Sequence, residues 1–107
     1  MGVEFEFDEE KIKALGYTLA DVHRTIKKAY KKYGLPCISD GKILAFSDLG
    51  RKDDYSHLWA VIMRLVRCEW FLEVATACYW CEDGQRVEDI LTQAKARDQM
   101  RNVRNED

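Results

Sequence analysis

The chain has 107 residues, is 47 % hydrophobic and 11 % aromatic, and carries a formal charge of -2. That length suits one domain with one modest core, residues 1–107, and the apolar content excludes a disordered chain except at its ends. No apolar run approaches the roughly 20 residues that span a bilayer, and the opening MGVEFEFDEE is acidic where a secretory signal is basic and then apolar, so a soluble, cytoplasmic protein without a membrane is expected.

Residues 3–7, VEFEF, alternate strictly and predict a half-buried strand with Val3, Phe5 and Phe7 on one face and Glu4 and Glu6 on the other. Asp8 stands where a short helix begins, with Glu9 and Glu10 in its favourable first turn, and Gly16 stops that helix after Leu15. Thr18 with Asp21 approximates a capping box that starts a longer helix, which Gly34 ends. Leu19, Val22, Ile26, Ala29 and Tyr33 form its apolar face, and Arg24, Lys27, Lys28, Lys31 and Lys32 lie opposite.

LPCISDGKILAFSD reads as a hairpin turning on Asp40-Gly41, a dipeptide suited to a two-residue type I′ turn, with Ile38 facing Ile43 and Cys37 facing Leu44. A polar loop follows, and residues 53–67 predict a helix with Leu58, Val61, Ile62 and Leu65 inward. EWFLEVATACYWCED is apolar and β-prone, so a long last strand is expected. It places Trp70, Leu72, Val74, Thr76, Cys78 and Trp80 on one face and Phe71, Glu73, Ala75, Ala77, Tyr79 and Cys81 on the other. After Gly84, QRVEDILTQAKAR predicts a final helix striped by Val87, Ile90, Leu91 and Ala94, and residues 98–107 are expected to fray. The order β, α, β, β, α, β plus one helix predicts an α+β fold, a ferredoxin-like sandwich with an extra C-terminal helix.

Four features invite a functional reading. Cys78 and Cys81 have a C-x-x-C spacing that serves zinc or redox chemistry when it sits in a turn. In an extended strand, however, residues three apart point to opposite faces. Glu82 and Asp83 would also raise the thiol pKa, and Cys37, Cys68, His23 and His57 lack the paired spacing of further zinc ligands, so buried structural thiols are favoured over a metal site. The basic stripe Arg24, Lys27, Lys28, Lys31 and Lys32 suits phosphates, although such stripes are more often a solvated helix face. His57 lies one turn after Asp53, a general-base arrangement that an exposed histidine more often lacks. Phe71 and Tyr79, joined by Leu44 and Phe46 from the hairpin, make an outward sheet face too apolar for water, which the last helix, a second copy or a protein partner would cover.

Asp8 falls at the carboxyl end of the first strand, where a side chain can bind a metal, activate water, or simply cap a helix. A strand ending in Phe7-Asp8, a helix ending in Tyr33-Gly34, a hairpin pivoting on Gly41 and a second helix leading through Trp70 into a last strand resemble the virulence-associated protein D family. That resemblance implies a homodimer of ferredoxin-like ribonucleases, with paired Asp8 residues near the dimer axis, Mg or Mn as cofactor, and RNA as substrate. The segment from Glu9 to Tyr17 departs from the family's simpler strand-to-helix passage. Apart from that resemblance no cofactor is expected, and no catalytic set is recognisable. The sequence therefore favours a small interaction or regulatory module acting through an exposed sheet or helix face, with the metal-assisted ribonuclease as the alternative.

Overall fold

The computed structural model describes the backbone of residues 1–106 and the side chains of residues 1–100. In chain order its elements are β1 (Gly2–Phe7), α1 (Glu9–Ala14), α2 (Leu19–Lys31), β2 (Cys37–Asp40), β3 (Leu44–Ser47), α3 (Asp54–Leu65), α4 (Glu69–Val74), β4 (Ala75–Glu82), β5 (Gln85–Asp89) and α5 (Ile90–Glu106). The strands form one sheet in the order β2-β3-β1-β4-β5, and every neighbouring pair is antiparallel.

Hydrophobic alternation sets the sheet's two faces. Val3 stands opposite Phe46 and Trp80, and Phe5 opposite Leu44 and Cys78, so all six side chains share the face that α2 and α3 cover. Tyr30 of α2 packs on Phe46 with ring centroids 4.3 Å apart, and its hydroxyl donates to the Leu58 carbonyl of α3 at 3.0 Å, tying the two helices over the sheet. Glu4 points to the other face, where it accepts from Arg86 Nε of β5 at 2.9 Å. α2 begins as expected: Thr18 and Asp21 form a reciprocal capping box.

Three local expectations are overturned. Residues 69–74 form helix α4, not the first half of a strand, and Phe71 and Val74, three apart, are both buried. The reason is the length of β1. Its pairing with β4 ends at Phe7–Ala75, with one further bond from the Asp8 N–H to the Val74 carbonyl, so the residues before Val74 have no strand beside them and their backbone groups bond within the segment.

Residues 85–89 form β5, not the start of the last helix. Asp83 and Gly84 have φ of 51° and 75°, the two positive angles of a type I′ hairpin turn, and Val87 is 58 % exposed. The sheet consequently has five strands instead of the four expected. Finally, Asp40-Gly41 makes no such turn: neither residue has a positive φ, and the register pairs Cys37 with Phe46, Ser39 with Ala45 and Asp40 with Leu44 across an irregularity. α5 packs on β4 and α4 through its buried Ile90, Leu91 and Ala94. The segment expected to fray, 98–107, is helical in backbone as far as Glu106, and position 107 lies outside the described residues.

Candidate functional site

The basic stripe converges on the free edge of the sheet. The apolar residues Val22, Ile26 and Tyr30 pin α2 to the core, which turns the opposite side outward. Arg24, Lys27, Lys28 and Lys31 then line a groove of about 480 Å³ together with Leu35, Cys37 and Phe46. Lys32 caps the C-terminus of α2 and is exposed, outside this lining. β2, the strand along the groove, has all four residues exposed and, among the described residues, no strand on its outer side.

Two of the four cations are held by carboxylates. Arg24 Nη1 lies 3.3 Å from Asp21 Oδ1, and Lys27 Nζ pairs with Asp40 Oδ2. The other oxygen of Asp40 lies 2.8 Å from Nδ1 of His23, a residue only 6 % exposed. Lys27 first and His23 second therefore hold the Asp40 carboxyl below the ordinary carboxylate range, and Asp40 in turn pushes Lys27 up. His23 Nε2 is buried with no hydrogen-bond partner among the described residues. Lys28 and Lys31 have no ion pair among the described residues, so they are the cations whose charge remains uncompensated.

Asp8 is spent on local structure. Its Oδ1 accepts from the N–H of Glu10 at 2.9 Å and of Lys11 at 3.2 Å, which makes it the N-cap of α1, and its own N–H donates to the Val74 carbonyl at 2.8 Å. Among the described residues no group of three or more His, Cys, Asp or Glu side chains is placed to hold a metal ion.

The C-x-x-C pair is split by the strand that carries it. Cys78 stands opposite Phe5 in the core and Cys81 opposite Gly2 on the other face. Burial pushes the Cys78 thiol far up, and burial together with Glu4 raises that of Cys81, so neither is an activated nucleophile. His57 lies flat on Tyr33, with ring centroids 4.2 Å apart at 13°, and Asp53 offers it only a backbone carbonyl for its N–H. The general-base pair does not form.

The expected partner face is also dispersed. Leu44, Phe46 and Phe71 are no more than 1 % exposed and belong to the core. The first two point inward because they pair with Phe5 and Val3, and Phe71 turns inward with α4. Tyr79 alone of the four lies on the opposite face, half-buried beneath the Arg86 guanidinium, 4.4 Å from its ring centre. No protein-family model, curated protein or solved structure matches the chain.

Two features escaped the sequence reading. The His23–Asp40 pair joins residues 17 apart, and the one available signal was that His23 falls between Leu19 and Ile26 on the inward side of α2. A cleft of about 390 Å³ between α1, α2 and α4 is walled by Ile12, Leu15, Tyr17, Val22, Trp70 and Val74, and exposed Leu15 and Tyr17 flanking the helix-stopping Gly16 were its signal.

Proposed function

We propose that this chain is a noncatalytic interaction module, and that its contact surface is the side where α2 overhangs edge strand β2. The observation that carries this reading is the groove in which four cationic side chains gather along an uncovered strand. Asp8, His57 and Cys78, by contrast, are engaged in capping, stacking and core packing, and Cys81 is separated from Cys78 on the other face of the sheet. Charged residues on an exposed face steer association and select partners, which is the work of a binding surface. The ferredoxin-like description of the fold belongs to the same proposal, which takes β1, α2, β2, β3, α3 and β4 as the split βαβ core and α1, α4, β5 and α5 as additions.

The test is a parallel affinity capture from the native host with wild type and with Lys28→Glu/Lys31→Glu, both sites being exposed and without an ion pair among the described residues. The reading expects a partner retained by wild type and lost by the charge-reversed variant. An identical set of captured proteins would overturn it.

The metal-assisted ribonuclease of virulence-associated protein D type remains the second reading. Its support is that both capping bonds go to Oδ1 of Asp8, which leaves Oδ2 unclaimed by them at the carboxyl end of β1. RNA cleavage by purified protein with Mg or Mn, abolished in Asp8→Asn, would establish it over the interaction reading.

A further inference from the structure

The geometry points to the class of partner: an extended segment with alternating acidic and apolar residues that adds to the sheet as a strand beside β2. This inference rests on the interaction reading above and specifies its ligand. An edge strand presents unpaired backbone N–H and C=O groups to whatever lies alongside it, so natural edges are short, charged or covered. β2 is short, but its one charged side chain, Asp40, is already tied to Lys27 and His23 and does not guard the edge. Pro36 stands before the strand, so every residue of β2 keeps its backbone N–H, while the Ser39 carbonyl already accepts from the Cys37 thiol at 3.3 Å.

The two sides of that edge differ in chemistry. On the helix side stand the cations of α2, and Cys37 points the same way because it pairs with inward-facing Phe46. On the other side Ile38 is 65 % exposed. A strand laid along β2 alternates its side chains between those two sides, one set meeting lysines and the other meeting an isoleucine. Lys28 and Lys31, the two cations without an ion pair among the described residues, stand about 4.5 Å apart along the helix axis and give the acidic side chains of the incoming strand their counter-charge. The opposite edge does not suit the same ligand, because β5 is bordered by Glu82, Asp83, Glu88 and Asp89, which repel an acidic segment.

Amide chemical-shift mapping of the full chain tests this with three acetylated octapeptides. The first alternates Glu and Val, the second alternates Lys and Val, and the third is the Glu-Val peptide N-methylated at alternate residues. The Glu-Val peptide is expected to bind saturably and shift the amides of residues 37–40. Its affinity should fall about tenfold, the equivalent of about 1.4 kcal/mol, in Lys28→Glu/Lys31→Glu, whose circular dichroism should match wild type. The Lys-Val peptide should not bind, and the N-methylated peptide should bind at least about tenfold more weakly.

Equal binding by the N-methylated peptide would overturn strand addition. Shifts confined to regions other than β2 would do the same. Tighter binding of a uridine oligonucleotide through the same lysines would assign the groove to nucleic acid, and sedimentation showing self-association lost in the charge-reversed protein would assign the edge to a second copy; either result replaces this inference. If the peptides fail while the charge-reversed protein still loses its captured partner, the strand mode falls and the interaction reading stands.

Discussion

Substituting Asp8 by Asn and by Ala separates a capping role from a chemical one. The carboxylate accepts from two orphan N–H groups of α1, at 2.9 and 3.2 Å through a single oxygen. Alanine removes both bonds and should cost about 1 kcal/mol, the usual loss for an N-cap; in a domain of this size that lowers the melting temperature by about 4 °C. There is a ceiling. α1 holds Ile12 in the core at 1 % exposure, and complete unwinding of the helix would add the loss of that burial, about 2 kcal/mol, for a total near 3. Asparagine keeps an accepting oxygen in the same place, so Asp8→Asn should lose only the few tenths of a kcal/mol that a negative charge gains at a helix N-terminus. Thermal and urea melts followed by far-UV circular dichroism give the stabilities, and incubation with RNA and Mg or Mn gives the activity. The account expects Ala well below Asn and Asn close to wild type, with no cleavage by any of the three. Asn as unstable as Ala, or cleavage by wild type that vanishes in Asn, would refute the reasoning.

Further outcomes follow from burial and charge. Phe71→Ala should cost about 3–5 kcal/mol in urea melts, as a fully buried phenylalanine does; a loss below about 0.5 kcal/mol would return Phe71 to the surface. Burial by itself would raise the Asp54 carboxyl, but the N–H groups of Leu49 and Arg51 and the Arg51 guanidinium outweigh it and hold the group below its ordinary range. Its contribution to stability is therefore present above the unfolded pKa of about 3.9 and is lost as pH falls through the lower folded value. Wild type should accordingly lose urea midpoint between pH 5 and pH 3, and Asp54→Asn should start lower and lose less. An aromatic disulfide reagent should modify exposed Cys37 in the native protein and reach Cys78 only on unfolding, which mass spectrometry of the labelled peptides would show.

Much of the fold was legible wherever one physical signal acted without competition. Strict alternation gave β1, and the reciprocal pair Thr18 and Asp21 gave the start of α2. Residues 69–74 misled because Trp70, Leu72 and Val74 satisfy a period of two while Phe71 and Val74 satisfy a helix; the missing strand partner beyond Phe7 decided between them, and no local pattern contains that fact. The chain has two Asp-Gly pairs, and the turn chemistry is realised at Asp83-Gly84, where it creates β5. At Asp40 the carboxylate is drawn to Lys27 and His23 on α2, and the strand register follows that anchor. The basic stripe was readable from helical spacing, but its position above a free strand edge depends on sheet order, a tertiary property. The cysteine pair was settled by the period of a strand once the boundary at Ala75 was fixed.

Hydrogen exchange, compared between the free protein and the protein bound to the partner it captures, tests the central claim most directly. The account predicts slowed exchange along α2 from Arg24 to Lys31 and along β2 from Cys37 to Asp40, with α1 and the residues around Asp8 unchanged. Protection centred on Asp8 and α1, with α2 and β2 exchanging as in the free protein, would contradict it.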